Sequence, residues 1–172
     1  MAIYALGDLV PVIDPDAYVH PEATIIGDVH IGAHSSIWPQ AVLRGDYGKI
    51  TIGERTSIQD GTVIHAGPTF PTIIGSGCVV GHLAHLEGCV LEDACLVGSG
   101  SIVLHHAVIG AGATVGANAV VGNNKVVPRG ALAIGVPITI KDGGSSALVI
   151  EYSAKEYVAN AARFKERLRR ID

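Results

Sequence analysis

Residues 91–132 read LEDACL VGSGSI VLHHAV IGAGAT VGANAV VGNNKV VPRGAL when written in sixes. Each hexad opens with Leu, Val or Ile, position two is often Gly, and position five is usually small. The frame extends upstream through VGHLAH (80–85), IGSGCV (74–79), IQDGTV (58–63), IGERTS (52–57) and IGAHSS (31–36). A fixed period of six held over most of a chain marks a solenoid. We read a parallel β-helix with three short strands per coil, one hexad to each side. The opening aliphatic residue points inward and stacks on its equivalent one coil away, about 4.8 Å distant. Each such burial contributes roughly 1.5–3 kcal/mol. Small residues fit the interior corners, and glycine relieves the backbone there.

The composition agrees. Aromatics make up 5% of the 172 residues, as a narrow prism requires, while the 48% hydrophobic content argues against disorder. Charged residues are 16% and the net charge is −4, so no basic surface for nucleic acid is expected. The apolar runs fall short of the ~20 residues needed to span a membrane, and no charged-then-apolar leader opens the chain. Cys78, Cys89 and Cys95 are odd in number and lack CxxC spacing. They occupy packing positions, and free thiols in a reducing cytoplasm fit best.

The repeat stops near residue 140. We divide the chain into a β-helix over 1–140, a linker over 141–152 containing KDGGSS, and a C-terminal helix within 153–172. Ser153 and Glu156 have capping-box spacing, and Tyr157, Ala161, Phe164 and Leu168 share one helical face. These place the helix at about 154–170, with Arg167, Arg169 and Arg170 favourably near its C-terminal end. Its apolar face is expected on the prism or on a neighbouring subunit.

The hexads also serve as a ruler. Leu86 follows Ile64 by 22 residues, four more than a regular coil, and the surplus falls in the proline-containing GPTFPT (67–72). With that loop set aside, Leu86 lies over Ile64 and Glu87 over His65. Leu43 lies under Ile64 and Arg44 under His65, with three extra residues near 47–51. His82 belongs to a different side of the prism and cannot easily meet His65 within one chain. In a threefold trimer it could meet the His65–Glu87 pair of a neighbour. His105 and His106 fall one coil above 86–88 and read as a solvated or interface pair.

The segments AVLRGDYGKITIGERTSIQDGTVIH (41–65), PTIIGSGCVVGHLAHLEGC (71–89) and SAKEYVANAARF (153–164) resemble the γ-class carbonic anhydrase family of hexapeptide-repeat proteins. The resemblance implies a left-handed parallel β-helix of about seven coils plus the C-terminal helix, assembled as a homotrimer. It implies a lyase of carbonate dehydratase type, in which a metal-bound hydroxide at the trimer interface converts CO2 to bicarbonate. Three family histidines hold that metal. Two match His65 and His82, and the third falls where this chain has Glu87, with His85 two residues earlier. A His65, His82, Glu87 set suits zinc, with Fe2+ a second choice. A site using His85 as third ligand, or a polar interface remnant without tight metal binding, stays open beside it.

The resemblance further carries Gln59 to the orientation of water or bicarbonate and Tyr157 to the metal pocket. It carries Arg44 and Asp46 to an ion pair between subunits, for which trimer stability alone is a sufficient reason. The loop 66–72 has no ionisable residue, so proton export is left to Glu54, His85 or solvent. Two other functions remain in view. One is a hexapeptide-repeat acyltransferase or CoA-thioester hydrolase, although no long loop bearing a histidine base is present. The other is a non-catalytic trimeric binding or scaffold protein.

Overall fold

A computed structural model describes residues 2–172. Aliphatic side chains at the hexad starts are withdrawn from water: Ile25, Ile37, Leu43, Ile58, Ile64, Leu86, Val97, Val103, Ile109, Val115 and Val121 are each 0% exposed. Stacking them one above another closes the chain into a left-handed parallel β-helix of about seven coils. Of its three sides, one carries the strands Val42–Ile52, Val63–His65, His85–Glu87, Ile102–Val103 and Val120–Val121 in succession. A second continues from the far end of Val42–Ile52 through Thr72–Ile74, Val90–Leu91, Val108–Ile109 and Val126–Val127. The third runs from Tyr18–Val19 through Ser36–Ile37, Ser57–Ile58, Val79–Val80, Leu96–Val97 and Thr114–Val115 to Leu132–Ile134. The strands pair in parallel, except that Thr139–Lys141 closes the last coil antiparallel to Leu132–Ile134, and isolated antiparallel bridges join Leu6 to Leu9 and Gly67 to Phe70.

The ruler holds at each point that positions the site. Leu86 pairs with Ile64 and Glu87 with His65, while Leu43 and Arg44 pair with Ile64 and His65 from below. The extra residues before residue 50 form a bulge, because Gly27 pairs with Gly45 but Val29 with Ile50. The surplus at 67–72 turns back on the prism through a bridge between Gly67 and Phe70. Two glycines make room for it. A Cβ on Gly67 would stand 2.0 Å from the Phe70 ring, and one on Gly88, which has φ +60°, would stand 2.4 Å from it. The three cysteines are buried free thiols, and burial pushes the Cys89 thiol up to about 12.

The C-terminal helix spans Ala147–Arg167, seven residues earlier in its start than the capping-box spacing suggests. Ser146, not Ser153, is its N-cap, so Ser153 and Glu156 lie inside the helix. The apolar face accounts for the difference. Ile150 and Ala154 are buried and extend the Tyr157, Ala161, Phe164 stripe by two turns. At the other end Leu168 is extended, 47% exposed, and excluded from the stripe. Arg169 and Arg170 fall beyond the helix, and Lys165 and Arg167 are the cations of its last turn. The linker shrinks accordingly to 142–146, since Lys141 ends a strand. Tyr157 and Phe164 pack edge-on against Trp38, with ring centroids 5.6 and 5.1 Å apart, which seats the helix on the third side of the prism. No helix is long and apolar enough to cross a membrane among the described residues.

Candidate metal centre

Two groups of polar side chains stand apart on the prism. On the first side, alternation along Val42–Ile52 and Val63–His65 sends Leu43 and Ile64 inward and leaves Arg44, Asp46 and His65 on the outer face. His65 Nε2 lies 2.9 Å from Asp46 Oδ1, and Nδ1 lies 3.0 Å from Glu87 Oε1 one coil above. Arg44 donates to the other oxygen of Asp46. Arg44 and Asp46 thus form an ion pair within the chain. The reason is local, because Arg44 and Asp46 are alternate residues of one strand and project to the same face.

Both carboxylates are held below the usual range. For Asp46, burial pushes upward, but the hydrogen bonds with His65 and Arg44 outweigh it. For Glu87 the His65 hydrogen bond is the leading cause, followed by an opposing burial effect and by His105. Glu87 has further imidazole neighbours. His85 Nε2 is 3.4 Å from Oε2, and His105 Nε2 is 3.4 Å from Oε1. That His105 nitrogen is buried and makes no hydrogen bond. Its ring stacks on Phe70 with centroids 4.5 Å apart. Tyr47 presents its ring edge to His65 at 6.5 Å between centroids and is itself 68% exposed.

At the corner where the third side turns into the first, His82 Nδ1 donates to Asp60 Oδ2 at 2.8 Å, which leaves Nε2 free at the surface. Gln59 is buried beside this pair, its backbone bonded to Val80. Tyr157 stands close by on the helix. Burial first, and the charge of Asp60 second, push its hydroxyl above the usual range. Glu54 is paired with Arg55 at an exposed corner and shares no hydrogen bond or ion pair with either group.

The structure thus joins His65 with Glu87, brings His85 alongside, and joins His82 with Asp60. It does not join the two groups to each other. Among the described residues of one chain, no three His, Cys, Asp or Glu side chains are gathered as a metal-binding group. Three contacts escape the sequence reading: Asp46 with His65, Asp60 with His82, and His105 with Glu87. The second was within reach of the ruler, since His82 follows Asp60 by the same 22 residues that separate Glu87 from His65.

The donor set fits a divalent cation. Two ligands of one tetrahedral zinc, each about 2.0–2.2 Å from it, stand about 3.3 Å apart. His65 Nδ1 and Glu87 Oε1, at 3.0 Å, stand at hydrogen-bond distance, so a cation would replace the shared proton and open the pair by a few tenths of an ångström. Asp46 at His65 Nε2 and Asp60 at His82 Nδ1 are the kind of outer carboxylate partner that orients a metal-binding histidine.

The model of the bacterial transferase hexapeptide family (six repeats) matches residues 11–45 and 88–123. A structure of a hexapeptide transferase family protein from Anaplasma phagocytophilum is 36% identical. It superposes with a TM-score of 0.91 over 95% of this chain and 98% of that one. The mitochondrial gamma carbonic anhydrase 2 of Arabidopsis thaliana is 40% identical over 159 residues, 88% of this chain and 57% of that protein. The chain belongs to the γ-carbonic anhydrase-like hexapeptide-repeat family. The carnitine operon protein CaiE of Escherichia coli strain K12 is 44% identical over 110 residues, 64% of this chain and 56% of that one. The chain thus spans about half the length of the curated relatives it matches. An N-acyltransferase from Bacillus cereus, AntD, shares the fold at 18% identity and a TM-score of 0.70.

Proposed function

We propose that this chain is a carbonic anhydrase-like metalloprotein that hydrates CO2 to bicarbonate in the cytoplasm, with its site completed between the subunits of a homotrimer. The observation that carries the reading is the pair of half-sites. His65 and Glu87 face outward on one side of the prism, and His82, oriented by Asp60, faces outward at a corner. His65 and Glu87 of one copy and His82 of a neighbour would hold zinc, with Fe2+ a second choice. When bound, the cation supplies the Lewis acidity that makes water a nucleophile near neutral pH. Asp46 holds the His65 ring from behind, and Asp60 does the same for His82. Gln59, next to Asp60 in the chain, and Tyr157, which feels the charge of Asp60, would supply polar groups to orient bicarbonate. Apolar surface beside each half-site supports its burial in an assembly: Val63, Leu83 and Tyr47 are 40%, 72% and 68% exposed.

The test is the metal content of tag-free protein by mass spectrometry, with a CO2-hydration assay run beside a panel of CoA thioesters. One metal per chain with hydration activity is expected. Metal-free protein inactive on CO2 would refute the reading. Thioester cleavage without hydration would instead favour a hydrolase, a second reading supported by the Asp60–His82 pair, which leaves an exposed imidazole nitrogen available as a base.

A further inference from the structure

Glu87 stands where the resemblance calls for a histidine, and a carboxylate has needs that an imidazole lacks. It has two oxygens, and ligating carboxylates are themselves hydrogen-bonded. Here Oε1 is satisfied by His65 at 3.0 Å. If His65 and Glu87 share a cation, that hydrogen bond is lost, because the cation takes the place of its proton. Glu87 then requires another donor.

One nitrogen nearby has no other task. His105 Nε2 is buried, without a hydrogen-bond partner, and 3.4 Å from the same oxygen. Leaving a buried donor unpaired costs about 1–3 kcal/mol, so such a group calls for an explanation. The ring is held in place rather than free to find water. Phe70 stacks on it at 4.5 Å, and Phe70 in turn occupies the space left by Gly67 and Gly88. His85 approaches the other oxygen at 3.4 Å.

We propose that His105 is a positioning residue for Glu87. In its Nε2–H tautomer it donates to the carboxylate that His65 releases, and so allows a glutamate to serve as a metal ligand at this position. This inference rests on the reading that Glu87 takes a cation. It adds a donor that belongs neither to the His65–Glu87 pair nor to the neighbour's His82.

The experiment measures zinc affinity by chelator competition for the full-length wild type, His105→Ala, His105→Gln and Glu87→Ala, together with the thermal stability of each metal-free protein. His105→Ala is expected to weaken zinc binding about 10–100-fold, the range for loss of an outer hydrogen-bond partner. His105→Gln, which keeps an N–H donor at similar reach, should stay within a few-fold of wild type. A merely structural histidine would lower metal-free stability in both variants with zinc affinity unchanged, which overturns the inference. Zinc affinity unchanged in His105→Ala but lost in Glu87→Ala overturns the inference and leaves the metal reading standing. Equal loss in His105→Ala and His105→Gln overturns the donor role. A wild type that binds no zinc, or a Glu87→Ala protein that binds it normally, removes the metal reading and this inference together.

Discussion

Replacing Asp60 with alanine separates a functional role for the Asp60–His82 pair from a stabilising one. The two side chains are 47% and 49% exposed, and their atoms are 2.8 Å apart. A pair so exposed contributes about 0–1 kcal/mol, since solvent screens it and both side chains lose freedom to form it. For a chain of this size that corresponds to a shift in Tm of no more than about 2–4 °C. If the pair exists to orient His82 as a ligand, its loss weakens metal binding about 10–100-fold, equivalent to about 1.4–2.8 kcal/mol. The effect on metal therefore exceeds the effect on stability. The assay compares metal-free melting curves and zinc competition titrations for wild type and Asp60→Ala. An ultraviolet titration adds an independent reading. Tyr157 is raised by burial and, secondarily, by the Asp60 charge, so its hydroxyl should titrate somewhat lower in the variant yet stay above the ordinary tyrosine value. A large fall in Tm with unchanged zinc affinity would refute the reasoning and make the pair structural.

Other outcomes follow from the same geometry. Trimers refolded from a mixture of His65→Ala and His82→Ala chains should recover part of the metal binding that each variant lacks alone. Recovery is read as zinc per chain, and its absence argues against a site shared between subunits. Ile58 is 0% exposed and stacks between Ile37 and Val80, so Ile58→Asp buries an unpaired carboxylate at a cost of several kcal/mol and should abolish folding. Soluble protein with a cooperative melt would contradict the inward register. Glu87 is held below the usual carboxylate range in the folded chain, so its contribution to metal-free stability is present above the unfolded value of about 4.3 and is lost as pH falls through the lower folded value. The stability gap between wild type and Glu87→Gln should accordingly be steady at neutral pH and close in acid, as followed by melting temperature against pH.

The prism was legible in the sequence because its rule is local and repeated. An aliphatic residue every sixth position has one inward solution, and a register count then fixes which residues stack across coils. Ile64 under Leu86, and His65 under Glu87, follow from counting alone. The helix start was less legible. Capping preferences are worth about 1 kcal/mol, and burial of Ile150 and Ala154 against the prism overrides the Ser153–Glu156 spacing. The contacts of Asp46 and His105 were hidden for different reasons. Asp46 shares the face of Arg44, but the bulge interrupts the hexads there, so the residue it meets on the next coil is not given by the count. His105 is turned toward Glu87 by a ring stacked on it from the 67–72 loop, a segment that no period describes.

The charges around Glu87 bear on the proposal that this face takes a cation. Arg44 is committed to Asp46. The ionisable groups within reach of Glu87 are the imidazoles of His65, His85 and His105. A lysine or arginine there would neutralise the carboxylate permanently and repel a divalent ion. Imidazoles can donate a hydrogen bond while neutral, or give up a proton and accept a metal, so they leave the negative charge of Glu87 available. A glutamate ligand also reduces the net charge of a divalent centre from +2 to +1, which makes it a weaker acid toward water than a centre with three neutral ligands. On the proposed reading, glutamate at position 87 would favour retention of the cation over the acidity it confers, and any hydration would need a higher pH than at a centre with three neutral ligands.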